Sequence, residues 1–342
     1  MTFRKAVLCA LSFAAISALP VEAKQTLTIA SWAPPTHVIN SEVWPEFIRR
    51  LETVSDGALT ATVKLGLAPP PGMADLVLDG AADITYIFHG YNPGRFVTSE
   101  LVELPGTMGG AEATSTAYWR VWNEMLKAAG EQDEFKTAAM FMHGAAQFHL
   151  VRPVDSITEI EGMKLRAPGG VGSMVIEGLG AVGIQVPATK VYETLSSGAA
   201  DGVVMNLDSR TGFRMNEVAP AMFEVPGGLY RGSFAVLMNR EVWDSLDPQL
   251  RQKLDDELFG EPLSRLFGRH WDGGDRAALQ SATDLGHPRV VASQADLEVF
   301  DAVARDVEEQ ILEKVDGTGV NAARALEMFR AQSERVMQEI GE

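Results

Sequence analysis

Between residues 26 and 88 the chain alternates strand-like and helix-like segments, and this rhythm restricts the fold more than any other feature. Residues 26–32 (Thr-Leu-Thr-Ile-Ala-Ser-Trp) alternate polar and apolar side chains and stop at Pro34-Pro35, as a strand entering a loop does. Residues 40–51 carry Val43, Phe47, Ile48 and Leu51 at helical spacing, with Asn40 or Ser41 placed to cap them. Residues 59–65 read as a second strand, residues 73–78 as a short helix and residues 82–88 as a third strand. A β-α-β-α-β order predicts an α/β fold, a mostly parallel sheet with helices on its faces. Such sheets bind ligands beyond the carboxyl ends of their strands. Trp32, Phe88 and His89 lie at such ends and are candidate ligand contacts.

Further along, residues 111–129 form a helical segment carrying Trp119 and Trp122. Residues 136–142 and 147–151 are apolar strand candidates, residues 163–166 a strand, and residues 173–179 a helix with Ser173 as its cap. Residues 203–205 and 234–238 read as strands and residues 240–246 as a helix. After Asp247-Pro248, residues 249–282 look helical over most of their length. Residues 286–291 allow one late strand, and residues 293–315 and 321–340 are charged helices. No internal repeat or low-complexity linker appears. That suits two domains joined by strands that cross more than once.

Residues 1–23 read as a secretory signal peptide. Arg4 and Lys5 supply its positive start, residues 6–19 are apolar but too short to span a bilayer, and Val21-Glu22-Ala23 offers a cleavage site. Cys9, the only cysteine, lies inside this segment, so the exported chain would hold no disulfide and no cysteine–zinc site. Roughly 320 residues remain, which is long for one core and points to two domains. The net charge is −17, and loss of Arg4, Lys5 and Glu22 makes it one unit more negative. So acidic a surface argues against nucleic acid or anionic lipid as a partner. No later stretch is apolar enough for direct membrane insertion. An anionic ligand would need a local cation.

Arg166 meets that need. It stands near the end of a short strand-like run, Met163-Lys164-Leu165-Arg166, that closes in Ala167-Pro168-Gly169-Gly170. Where a strand meets a loop, a side chain reaches the edge of a cleft. A guanidinium stays protonated there, and its planar fork matches a carboxylate in two parallel hydrogen bonds.

Catalytic constellations are scarce. The six histidines form no His-Glu-x-x-His pattern and no two-histidine helical pair, and a metal site from His143 and His149 is conceivable but disfavoured. No Gly-x-Ser-x-Gly turn exists. Gly170-Val171-Gly172 follows a strand but lacks the third glycine and the lysine of phosphate-binding loops. Its backbone could still offer amide hydrogens to an anion at a helix start. No cofactor and no metal are expected.

Several ordered motifs together resemble the solute-binding component of TRAP transporters, the tripartite ATP-independent periplasmic family. They are Ile160-Glu161-Gly162-Met163-Lys164-Leu165-Arg166-Ala167-Pro168, and Val191-Tyr192-Glu193-Thr194-Leu195-Ser196-Ser197-Gly198-Ala199-Ala200-Asp201-Gly202 before a central strand. Upstream, Gly80-Ala81-Ala82-Asp83-Ile84, Pro93-Gly94-Arg95-Phe96 and Glu103-Leu104-Pro105 also fit. The resemblance implies a two-lobed periplasmic binding protein fold with a hinge, a long bridging helix and a ligand cleft between the lobes. It implies lobe I at about residues 24–143 and 232–271, and lobe II at residues 144–231 and 272–342. It also implies that Arg166 clamps a ligand carboxylate, that Asn206 contacts the ligand, and that the partners are a small organic acid and the TRAP membrane permease subunits.

The chain departs from the family pattern in one place. Many members carry a second basic residue about twenty positions before the clamp arginine. Here that stretch is Gly144-Ala145-Ala146-Gln147-Phe148-His149. Gln147 or His149 would substitute as a neutral or titratable donor, and Lys190 is a further candidate contact. Loss of the second cation favours a monocarboxylate, such as an oxo, hydroxy or aromatic acid, over a dicarboxylate, with a sulfonate or a zwitterion as alternatives. The competing expectation is a secreted two-lobed hydrolase or lyase acting on a small carboxylate, which would need a nucleophile, a metal or a poised base.

Overall fold

The computed structural model describes residues 24–342; the expected signal peptide, residues 1–23, lies outside the described residues. The strands are β1 (Gln25–Ser31), β2 (Leu59–Leu65), β3 (Ile84–Phe88), β4 (Phe135–Met142), β5 (Gln147–Leu150), β6 (Lys164–Ala167), β7 (Val182–Gln185), β8 (Gly202–Met205), β9 (Ala221–Glu224), β10 (Ser233–Asn239) and β11 (Arg289–Val291). They form two sheets. One has the order β2-β1-β3-β10-β4, the other β11-β9-β5-β8-β6-β7.

The β-α-β-α-β reading of the N-terminal region holds. β1 pairs in parallel with β2 and β3, and β10 then adds antiparallel between β3 and β4. The helix Trp44–Val54 lays Trp44, Phe47 and Leu51 into the core under this sheet. Each such fully buried side chain is worth roughly 1.5–3 kcal/mol. In the second sheet β6 lies in parallel between β7 and β8, while β5 runs antiparallel to β8 and β9. Phe148, Val203 and Phe223 fill its core.

The chain passes between the sheets from β4 to β5 and returns from β9 to β10. These two crossovers run side by side and bond to each other: His143 N–H to Gly232 O at 3.2 Å, Ala146 N–H to Tyr230 O at 3.0 Å and Leu229 N–H to Ala146 O at 2.9 Å. A third passage is the helix Glu261–Asp284, which leads from the first sheet toward β11. It packs through Phe267 on Phe141, ring centroids 4.0 Å apart.

Four local readings change. The helical run expected at residues 40–51 is a wide turn, Ile39–Val43, followed by the helix Trp44–Val54, because Pro45 sits in its first turn and cannot donate an N–H. Asn40 caps neither; its Nδ2 donates to the Ala33 and Pro34 carbonyls. The long segment expected at residues 249–282 is two helices, Pro248–Glu257 and Glu261–Asp284, broken at Gly260, whose φ of 71° no helix accommodates. Ser173 lies inside the helix Gly170–Gly178 and does not cap it. The C-terminal helix Ala322–Ile340, expected with lobe II, packs instead on the helix Ala111–Glu124 beside the first sheet. Arg120 ties this face together by ion pairs to Glu261 and Glu339.

The two halves meet along a seam of bare backbone. Gly169 has φ 97°, and a Cβ there would stand 2.5 Å from the Gly90 carbonyl oxygen. Beside it, the fully buried Glu103 accepts from Ser233 N–H at 3.1 Å and from Ser233 Oγ at 2.7 Å. Its other oxygen faces Gly170 at the start of the helix Gly170–Gly178. Burial pushes this carboxyl up from 4.5 to about 8. A group whose folded value is raised contributes stability below its unfolded value and loses it as pH rises through the folded one. Between pH 5 and pH 8 the protein should therefore lose stability that Glu103→Gln keeps. The gap in melting temperature should widen with pH, and parallel melting curves for the two proteins would refute this reading of Glu103.

Candidate functional site

Arg166 sits in β6, a strand flanked on both sides, and its side chain is 1% exposed. Pro168 and Gly169 end the strand directly after it and open the cleft. Nε donates to the Val186 carbonyl at 2.9 Å, and Nη2 donates to the Tyr91 hydroxyl at 3.2 Å. Among the described residues no carboxylate lies within ion-pairing distance of Arg166. A buried guanidinium held by neutral groups alone carries an uncompensated charge.

Tyr91 comes from the other sheet, on the short turn His89–Tyr91 that follows β3. Its hydroxyl accepts a second bond, from the Ala188 N–H at 2.7 Å. Both lone pairs of the phenol oxygen are then engaged, so its own proton is free to donate into the cleft. One side chain thereby joins the two lobes and lends Arg166 a second donor.

The cleft leaves only about 30 Å³ free between its walls, room for a water or two and well below the size of a small-molecule site, so a solute enters only when the walls part. Its walls are aromatic. Trp32 stacks on Tyr86 at 4.8 Å and donates Nε1–H to the Tyr86 carbonyl at 3.3 Å. Phe88 meets Tyr91 edge-on at 4.8 Å and Phe234 at 5.2 Å, and Phe234 meets Trp271 at 4.9 Å. Tyr230 and Phe213 complete the lining. His143 also lines the cleft; burial holds it near 4, so it is neutral, with Nδ1 donating to the Gly144 carbonyl and Nε2 accepting from Gly232 N–H. Arg166 is thus the one cation among the described lining residues.

Of the eight residues singled out from sequence, Arg166, Asn206, Trp32 and Phe88 come together in this cleft. The other four lie elsewhere. His89 follows Phe88 and turns away from the cleft. Its Nδ1 reaches Ser233 Oγ at 3.0 Å, its ring packs on Phe96 at 5.0 Å, and burial lowers it to about 3. Gln147 spends its amide on the Val225 backbone, donating to the carbonyl at 3.1 Å and accepting from the N–H at 2.8 Å. His149 is lowered to about 3 by burial and by Arg210, and it bridges the Met205 carbonyl and Arg210 at 3.0 Å each. Lys190 is exposed and pairs with Glu193 at 2.9 Å.

Sequence reasoning missed Tyr91, His37, His143, Phe213, Tyr230, Phe234 and Trp271. Tyr91 had a usable signal, since it lies three residues past the carboxyl end of β3. Trp271 had none, because it stands in the middle of the helix Glu261–Asp284.

Residues 29–315 match the family described as bacterial extracellular solute-binding protein, family 7. The chain belongs to the TRAP solute-binding proteins. Among solved structures, a TRAP periplasmic solute-binding protein of Bordetella bronchiseptica with bound (R)- and (S)-mandelate is 31% identical, covering 91% of this chain and 99% of that one, with a TM-score of 0.88. A marine metagenome TRAP solute-binding protein from an unidentified microbe, specific for aromatic acid ligands and crystallised with 3-hydroxybenzoate, is 28% identical over 91% of this chain and 98% of its own, with a TM-score of 0.85. Among characterised relatives, the outer membrane transporter protein TsaT of Comamonas testosteroni is 24% identical over 97% of this chain and 99% of its own length. The two-lobed fold of this TRAP protein thus agrees with the resemblance read from the motifs.

Tyr91→Phe removes the acceptor of both cross-cleft bonds. The lobes should open, seen in X-ray scattering as a larger radius of gyration, and an unchanged profile would show that the phenol does not hold them.

Proposed function

We propose that this TRAP solute-binding protein is a periplasmic receptor for an aromatic monocarboxylate, which it captures by closing the cleft and delivers to the TRAP membrane permease. The observation that carries this reading is Arg166: a fully buried cation with no protein counter-ion, beneath aromatic walls. A ligand carboxylate supplies the missing charge. In a closed, water-poor cleft that ion pair is far stronger than in water. The rings of Trp32, Phe88 and Phe234 cover the apolar body of the solute. Closure then proceeds only as far as the ligand prefers the closed state.

The mandelate bound by the Bordetella protein and the aromatic acid specificity of the marine protein support the same ligand class. Entry to the periplasm would follow from the N-terminal export segment. The rival reading, a secreted hydrolase or lyase, finds its best candidate in Ser233, His89 and Glu103. There the serine sits between the other two, donates its own proton to Glu103, and is fully buried. A nucleophilic serine instead gives its proton to the histidine and faces the substrate.

Arg166→Ala should weaken binding of mandelate or benzoate by more than about tenfold in calorimetry, and Arg166→Lys should fall between it and wild type because it keeps the charge but loses the fork. Unchanged affinity in Arg166→Ala would sink the assignment. A ligand recovered chemically unchanged from the purified protein would speak against turnover.

A further inference from the structure

We propose that Thr36 and His37 form a second latch across the mouth of the cleft, and that this latch seats only with a neutral imidazole, so that a proton on His37 opens the cleft and competes with the solute. The inference rests on the cleft being the solute site.

The latch joins the two sheets one strand over from Tyr91. Thr36 and His37 lie on the loop that leaves β1, the neighbour of β3, and their partners lie on the segment that leaves β8, the neighbour of β6. Thr36 is exposed, and its Oγ1 donates to the Gly212 carbonyl at 3.2 Å. The buried ring of His37 beside it meets Phe213 edge-on at 5.2 Å and Trp271 at 6.2 Å. A Cβ on Gly212 would stand 3.0 Å from His37 Cδ2, so the bare backbone there is what lets the ring lie against it. His37 and Phe213 both line the cleft, and with so little free space between the walls a solute enters only after they separate.

The seated ring has no place for a second proton. Nδ1 accepts the Ile39 N–H at 3.3 Å, so the neutral ring carries its proton on Nε2. A proton on Nδ1 would set donor against donor. The charged groups around the ring do not undo this. Asp208 Oδ1 lies 3.7 Å from Nε2, beyond hydrogen-bond range, and already accepts from Asn206 Nδ2 at 3.0 Å. Behind it Asp275, on the helix Glu261–Asp284, accepts the Asp208 N–H at 2.7 Å. Arg166 stands elsewhere in the same lining, Arg210 is turned to His149 and His287, and the exposed Arg214 is paired with Glu217. Burial lowers His37 and outweighs the opposing pull of Asp208.

When the lobes part, the ring reaches water, turns from Ile39 and takes a proton near the ordinary histidine value of about 6.5. The closed form holds this proton less well than the open one. Closing therefore expels it, and closure weakens as pH falls through the open value. Buried Glu103 and Asp275, both raised to about 8, act in the opposite sense by favouring protons in the closed form. The His37 contribution is consequently read as a difference between wild type and a variant that does not titrate.

The test is calorimetry of benzoate binding to the exported chain from pH 7 to pH 5, in buffers of different ionisation enthalpy. Wild type is compared with His37→Asn, whose amide oxygen can still accept the Ile39 N–H; His37→Gln serves if that variant does not fold. Over this range wild-type affinity should fall at least about fivefold relative to that of the variant. Near pH 6 wild type should release about half a proton more per benzoate bound. A purely structural role for His37 would lower affinity equally at every pH, so parallel pH profiles or equal proton counts overturn the proposal. If benzoate binds at no pH, the Arg166 reading falls, and the latch is read on the solute-free chain. Its radius of gyration in X-ray scattering should grow from pH 7 to pH 5 in wild type and not in His37→Asn, and the same response in both overturns the latch.

Discussion

A guanidinium removed from water without a counter-ion is the constraint around which this molecule is arranged. Desolvating such a charge costs several kcal/mol in real proteins, and the hydrogen bonds Arg166 donates to the neutral Val186 carbonyl and Tyr91 hydroxyl offset only part of it. The site is therefore least comfortable when closed and empty. Binding energy is available for closure because the ligand relieves a penalty that the fold has built in. The same charge explains why an acidic chain of net −17 can attract an anion at all. Attraction is local, at one point in the cleft, while the rest of the surface repels.

The fold serves this point in two ways. Paired crossovers from β4 to β5 and from β9 to β10 join the two sheets and are hydrogen-bonded to each other. The helix Glu261–Asp284 runs alongside and carries both Trp271, a cleft wall, and Asp275, an anchor of Asn206. Asn206 itself follows β8, the strand beside β6, and so stays with Arg166 on the second sheet.

Much of this was legible in the chain. The strand order β1 to β3 follows from alternation and from the proline stops, because local patterning decides strand against helix there. Arg166 was visible because its chemistry and its place before Pro168-Gly169 do not depend on distant residues. Phe88 and His89 show where legibility ends. Adjacent residues leave a strand in opposite directions, and only the sheet's position decides which one meets the cleft. Gln147 and His149 fail for a related reason: both stand on β5, where their polar atoms are consumed by the Val225 and Met205 backbone and by Arg210. Trp271 and Tyr230 reach the cleft through the packing of a long helix and a crossover, and no short-range pattern encodes that. The break at Gly260 was readable in principle, since Gly260 and Pro262 stand two positions apart there, yet the helical period runs on through both.

The seam where Gly169 meets the Gly90 carbonyl has one more consequence. Backbone lying on backbone has no side chains that can rotate to absorb a gap. The contact is made in full or not at all, so a solute one methyl group too thick does not produce a slightly looser receptor but one that stays ajar. A permease that senses the closed outline would then receive something close to a binary message, loaded or not, from a recognition event that is itself graded.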